Sequence, residues 1–139
     1  MIKVLIDTNV ALDILLNRQP NYINAAIIFS MTKQKSIESF ITASAITDIF
    51  FLSKGDLGKK PAIEALKDLL KVFKPATVTD KHIYQALYLD WNDFEDSVQY
   101  VVGESLEVDY IVTRNTDDFT FSSIAAVTPA EFLKAIAVV

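Results

Sequence analysis

Cysteine is absent from this 139-residue chain. That excludes a disulfide framework, a thiolate metal centre and a cysteine nucleophile, and it fits a cytoplasmic protein. Glycine and proline are scarce, at three and four residues, and no low-complexity tract or internal repeat interrupts the chain. With 51% of residues hydrophobic, the composition supports a sizeable core and argues against disorder. No apolar run approaches the roughly 18 to 20 residues that span a bilayer. The opening Met1-Ile2-Lys3-Val4-Leu5-Ile6-Asp7 lacks the apolar core and small-residue cleavage site of a signal peptide. The length predicts a single domain over residues 1–139 with no membrane association.

Positive charge is also in short supply: 13 Lys and Arg stand against 18 Asp and Glu, a net charge of −5. Taken alone, that opposes nucleic-acid binding, because phosphates are normally neutralised by Lys and Arg. The sum changes meaning if several carboxylates converge on divalent cations, which cancel their charge locally.

What the chain does contain is alternation. Ile2 to Ile6 reads as a buried strand, apolar on both faces. Thr8 or Asn9 is placed to cap the helix that follows. A second helix runs from Asn21 or Tyr22 to Lys33, and Ile37 to Ile41 forms a strand. Ser44 caps a helix from Ala45 to about Lys54, ended by Gly55 to Gly58. Lys59 to Phe73 is amphipathic and broken by Pro75. Ala76 to Val78 is a small strand, Asp80 to Asp90 a helix, and Asp93 to Leu106 an acidic helix. Asp109 to Thr113 is a strand with a polar turn, Arg114 to Asp118, at its end. Ile124 to Val127 is the last strand, and Pro129 opens a closing helix. Strands alternating with helices predict an α/β sandwich around a mostly parallel sheet.

In such a fold, sites form at the carboxyl ends of the strands. Asp7 ends the first strand. Asn115, Asp117 and Asp118 follow the Tyr110 to Thr113 strand. Asp48 lies on the helix after the Ile37 to Ile41 strand, inside the apolar stretch Ala43 to Leu52, where a charge needs a partner or a metal. Asp93 and Asp96 form an i,i+3 pair of like charges, which repel unless a cation serves them. Helical spacing puts Asp93, Asp96, Ser97 and Tyr100 on one side, opposite a stripe of Phe94, Val98, Val101, Val102 and Ser105. This set of hard oxygen donors suits Mg²⁺ or Mn²⁺ rather than zinc or copper. Such a centre can activate a water for in-line attack on a phosphodiester. Thr8, Asn9, Thr113 and Asn115 are candidates to orient water or the scissile phosphate, and Arg114 to clamp a phosphate.

In order and spacing, three stretches resemble the PIN-domain ribonucleases. They are Asp7-Thr8-Asn9-Val10, Asp93-Phe94-Glu95-Asp96, and Ile111-Val112-Thr113-Arg114-Asn115-Thr116-Asp117-Asp118-Phe119. The closing Val127-Thr128-Pro129-Ala130-Glu131-Phe132-Leu133 is similar to bacterial members, so the likeness runs end to end. The resemblance implies a three-layer α/β/α sandwich. It also implies Asp7 as the first metal ligand and Asp96 as the central one, with Asp93 and Asp118 or Asn115 completing the site. Many such proteins are VapC-type toxins that cut RNA, which implies a homodimer and a small antitoxin partner. One departure stands out: Asp48 occupies a position that is Glu in much of the family. Its shorter reach leaves ligation through water and no ligation both open.

Each position also has a plainer explanation. Asp7 would suit a helix N-terminus, and Asp93 an N-cap. Asp48 would suit the solvent face of its helix, and Asp117 and Asp118 a turn. Glu95 and Asp13 read as solvated charges, and His82 as an exposed residue without a role. Trp91 reads as packing rather than base stacking, while Phe50-Phe51-Leu52 is a candidate partner surface. Three functions follow, in falling order. The first is a metal-dependent endoribonuclease with catalytic Asp7, Asp48, Asp93, Asp96 and Asp118, the toxin of a toxin–antitoxin pair. The second is a catalytically silent PIN scaffold that binds RNA or protein. The third is a phosphohydrolase using Asp7 as nucleophile, which would need an acid where Asn9 stands.

Overall fold

The computed structural model describes residues 1–137. Five strands form one sheet, all parallel, in the order β3-β2-β1-β4-β5. They are β1 (Lys3–Ile6), β2 (Glu38–Thr42), β3 (Lys74–Ala76), β4 (Tyr110–Val112) and β5 (Ala125–Val127). Helices α1 (Thr8–Leu15), α2 (Tyr22–Lys33), α3 (Ala43–Leu57), α4 (Lys59–Leu70) and α7 (Pro129–Ala137) share one core with the sheet. Val4, Ile6, Ile41 and Val112 face that core, together with Phe73 and Phe132. Leu5 and Ile111 point the other way, onto α5 (Asp80–Leu89) and α6 (Phe94–Leu106). Side chains alternate along a strand, so one sheet feeds both cores. The result is the three-layer α/β/α sandwich.

The chain lays β1 in the centre, adds β2 and β3 on one side, then crosses to add β4 and β5 on the other. The strand order therefore reverses between β1 and β4, and a crevice opens past their carboxyl ends. Asp7 sits there, tied into the sheet by its own N–H to the Val112 carbonyl.

Several boundaries move. Thr42, not Ser44, caps α3, its hydroxyl accepting from the Ala45 N–H at 3.2 Å. The helix runs through Gly55 and stops at Gly58, whose φ of 85° a side chain would strain. The third strand is Lys74–Ala76 rather than Ala76 to Val78. An edge strand can hold Pro75, because the missing N–H need not face a partner.

The largest difference concerns α6. Residues Asp96 to Gly103 are all buried, so the helix has no solvated face, while Phe94 and Ser105 of the expected apolar stripe are exposed. Tyr100 stacks on Trp91 with ring centroids 4.9 Å apart, confirming Trp91 as a packing residue. Close packing is eased by Gly103, where an added Cβ would come within 3.3 Å of Val108. His82, given no role from the sequence, completes a capping box: Thr79 N–H donates to its Nδ1 at 3.1 Å, and its Nε2 lies 3.1 Å from the Ser105 hydroxyl. None of the described helices is long and apolar enough to cross a membrane.

Candidate active site

The acids predicted from four separate parts of the chain meet. A cavity of about 360 Å³ is lined by Asp7, Asp48, Asp93, Glu95, Asp96 and Asp118, with Thr8, Asn9 and Asn115 beside them. No Lys or Arg is among the lining residues. Phe51 and Leu52, largely exposed, form its apolar rim.

Asp7 is the fixed point. It is the N-cap of α1, its side chain accepting from the first helical N–H, and so displaces Thr8 and Asn9 from that role. Its carboxylate is almost wholly buried yet receives four hydrogen bonds. Thr8 N–H donates to Oδ1 at 2.7 Å and Gln99 Nε2 to Oδ1 at 2.9 Å. Thr113 Oγ1 donates to Oδ2 at 2.7 Å and Asn9 Nδ2 to Oδ2 at 3.3 Å. Burying a charge requires such compensation, and four donors also fix the direction of both oxygens.

These bonds reassign two expected phosphate-positioning residues. Thr113 is fully buried, so it holds Asp7 and cannot touch a phosphate. Asn9 uses its amide on Asp7 and its oxygen to accept from the Arg114 N–H at 3.2 Å. Arg114 is itself committed, with Nε 2.8 Å from Asp13 Oδ2. Asp13 is correspondingly no surface charge but fully buried on α1. Burial pushes its carboxyl up, and the charges of Arg114 and Arg18 pull it back down.

Asp93 caps α6, its Oδ1 accepting from the Asp96 N–H at 3.1 Å, and still lines the cavity. One residue thus caps the helix and remains at the cavity wall. Asp96 is buried beneath it. Its carboxyl is pushed up to about 8, first by burial and then by the charges of Asp7, Asp93, Asp118 and Glu95. Asp48 reaches the same cavity. Asp118 sits on the 3₁₀ turn Thr116–Phe119 and lines it too, whereas Asp117 does not.

Glu95, expected to be solvated, belongs to the site. Thr8 Oγ1 donates to it at 3.2 Å. Its carboxyl is pushed up to about 7 by burial, by a hydrogen bond shared with Asp48 and by the Asp48 charge. Gln99 was also missed as a site residue. Its spacing from Asp96, one turn on, was the available signal, but a buried amide carries no mark in sequence of which acid it serves.

Among the described residues, no three acidic or imidazole groups already stand as a closed cation cage. The donor set nevertheless fits a hard divalent ion, since every acid lining the cavity offers carboxylate oxygen. Accumulated negative charge, felt at Asp96, is what such an ion would relieve. The third reading finds no support, because Asn9 is an amide bound to Asp7 rather than a second acid.

Comparison with known proteins places this geometry. The PIN domain family model matches residues 3–117. Ribonuclease VapC1 of Aquifex aeolicus (strain VF5) is 25% identical over 136 residues, covering 94% of this chain and 92% of its own. Among solved structures, VapBC2 from Rickettsia felis, bound to a DNA fragment from their promoter, has a TM-score of 0.70 at 12% identity, covering 91% of this chain and 97% of that one. VapC20 of Mycobacterium tuberculosis, a toxin that cleaves the sarcin-ricin loop, scores 0.63 at 14% identity, covering 78% and 86%. A toxin–antitoxin complex from Klebsiella pneumoniae scores 0.65 at 18% identity, covering 91% and 97%. At these identities the structural likenesses establish the fold.

Proposed function

The chain belongs to the PIN-domain family, and from that premise we propose that it is a metal-dependent endoribonuclease, a single domain acting as the toxin of a toxin–antitoxin pair. The observation that carries the reading is the convergence of six carboxylates in one cavity whose lining holds no basic side chain. RNA phosphate would be repelled from it unless a cation were present.

Asp7 and Asp96 are the proposed principal ligands of Mg²⁺ or Mn²⁺, with Asp93 and Asp118 completing the set. When bound, the ion supplies Lewis acidity toward a phosphoryl oxygen. Gln99, Thr113 and Asn9 keep the Asp7 oxygens aimed, through the bonds given above. Glu95, poised near 7, suits the group that takes the proton from the attacking water at a carboxylate oxygen. Asp48 holds the other side of that proton, which gives it a place in the chemistry without direct ligation. Thr8 and Asn115 line the cavity and are placed to orient the scissile phosphate. Arg114 acts by holding the β4 turn rather than as a clamp.

The test is cleavage of RNA with Mg²⁺ or Mn²⁺. Asp7→Asn and Asp96→Asn should each lower the rate by at least about a hundredfold, the usual scale for losing a charge-stabilising group. Activity surviving both changes would reject the site. The silent-scaffold reading draws on the open arrangement of the acids; it predicts RNA or protein binding without cleavage whether or not Mn²⁺ binds.

A small antitoxin and a second copy of the chain are the proposed partners. Exposed Tyr84, Leu87 and Tyr88 on α5, and Phe51, Leu52 and Leu57 on α3, supply apolar area for them. Sedimentation of the isolated protein should give a dimer; a monomer at micromolar concentration would remove that part of the proposal.

A further inference from the structure

Beside the acidic cavity lies a second hollow of about 350 Å³, and the two share Asp93 and Asp118. Trp91, Asn92, Asp117 and Phe121 are among its other walls. Trp91 is the chain's only tryptophan. Its indole is stacked on Tyr100 and meets the edge of Phe119 at 6.1 Å, and its uncovered part borders the hollow. Phe121 is 83% exposed. Asp117 is exposed as well, its backbone carbonyl taken by the Thr120 hydroxyl at 2.6 Å and its carboxylate left to the solvent side.

These walls select a ligand class. Acids on several sides repel a phosphate. A purely aliphatic group would cover the aromatic rings but strip water from the carboxylates without replacing it. A nucleobase answers both demands: its flat face stacks on aromatic rings, and its N–H groups donate to carboxylates. Guanine, with two adjacent donors on its pairing edge, matches a carboxylate better than uracil, which has one.

We propose that this hollow is a nucleobase subsite with a preference for guanine, seated next to the phosphate that is cut. Its placement beside the scissile bond rests on the nuclease reading, but base binding itself does not. Phe121 is the stacking platform and Asp117 the acceptor.

Trp91 provides a readout that needs no catalysis. Its fluorescence is titrated with guanosine, uridine and ribose 5-phosphate in EDTA, on the full-length protein, corrected for ligand absorbance. Guanosine should change the emission saturably and more tightly than uridine, and ribose 5-phosphate should do nothing. Phe121→Ala, at an exposed position, should weaken guanosine by roughly tenfold, within the range for removing a stacking ring. Asp117→Asn should reduce the guanosine preference while sparing uridine. Equal responses to all three ligands, or no response in a protein that cuts RNA, would overturn the subsite and leave the nuclease intact. A guanosine response of the predicted kind in a protein that cuts no RNA would uphold base binding and sink the nuclease reading instead.

Discussion

Replacing Asp96 with asparagine should make the metal-free protein more stable at neutral and mildly alkaline pH. In the folded chain its carboxyl is pushed from 3.8 up to about 8, by burial and then by Asp7, Asp93, Asp118 and Glu95. Asp48 adds to the same crowding through Glu95. The folded state therefore holds a proton that the unfolded state has released anywhere between those two pH values. Stability is highest below the lower value and falls as pH rises toward the upper one. The limiting slope for one proton is about 1.4 kcal/mol per pH unit. Exposed Asp93 and Asp118 can turn toward water and screen part of this, so a gap of about 1–3 kcal/mol at pH 8 is expected. Asparagine removes the penalty. The assay is thermal unfolding by circular dichroism from pH 5 to 8 in EDTA. At pH 5, about one unit above the unfolded value, the parent should already melt somewhat below Asp96→Asn, by about a third of the gap at pH 8. At pH 8 the variant should melt higher, by roughly 2–8 °C per kcal/mol. Mn²⁺ at a hundred times its Kd adds about 2.7 kcal/mol to the parent, and the variant should gain less. A variant that melts below the parent at pH 8 in EDTA would refute the reasoning, because Asp96 would then be a stabilising partner rather than one charge too many.

The bonds that aim Asp7 make a second prediction: Gln99→Leu and Thr113→Val should each weaken Mn²⁺ binding about 10- to 100-fold by calorimetry, with the circular dichroism spectrum unchanged. Asp13→Ala removes the partner of Arg114, whose side chain is 35% exposed; because the guanidinium can reach water, the loss in urea unfolding should be about 1–2 kcal/mol, short of the 3–5 kcal/mol for a fully buried pair. Lys35 closes α2 at a φ of 62°, with Ser36 N–H bonded to the Met31 carbonyl at 2.9 Å. Lys35→Gly should raise stability by up to about 1 kcal/mol in the same assay, and a decrease would mean that the lysine side chain makes a contact worth more than its backbone strain.

The fold was readable because it rests on local signals. Apolar runs such as Val4-Leu5-Ile6 and turn residues such as Gly58 act through their own neighbours. That Asp7 and Asp118 line one cavity was legible because strand ends in a parallel sheet converge at the crossover beside β1, and Asp96 joins them from α6. What local spacing could not supply was the environment of α6. A helical wheel divides that segment into an acidic side and an apolar stripe, but Trp91 packs on the acidic side too, against Tyr100, and is itself backed by Phe119. Glu95 and Gln99 were missed for the same reason: their partners, Thr8 and Asp7, lie 87 and 92 positions away. Arg114 reads from sequence as a phosphate clamp, and its pairing with buried Asp13, which lies on α1 near the other end of the chain, leaves no local trace there. Capping was misplaced by a residue or two because each helix starts directly where a strand ends: Asp7 follows Ile6 of β1, and Thr42 is itself the last residue of β2.

The central claim is that acids from the first strand, the late helix and the final turn share one divalent ion. Anomalous diffraction from a crystal soaked in Mn²⁺ tests it most directly. A peak within coordinating distance of both Asp7 and Asp96, and absent from Asp96→Asn crystals, is the predicted result. A parent crystal with no peak in this cavity, or with manganese bound only elsewhere on the surface, would contradict it.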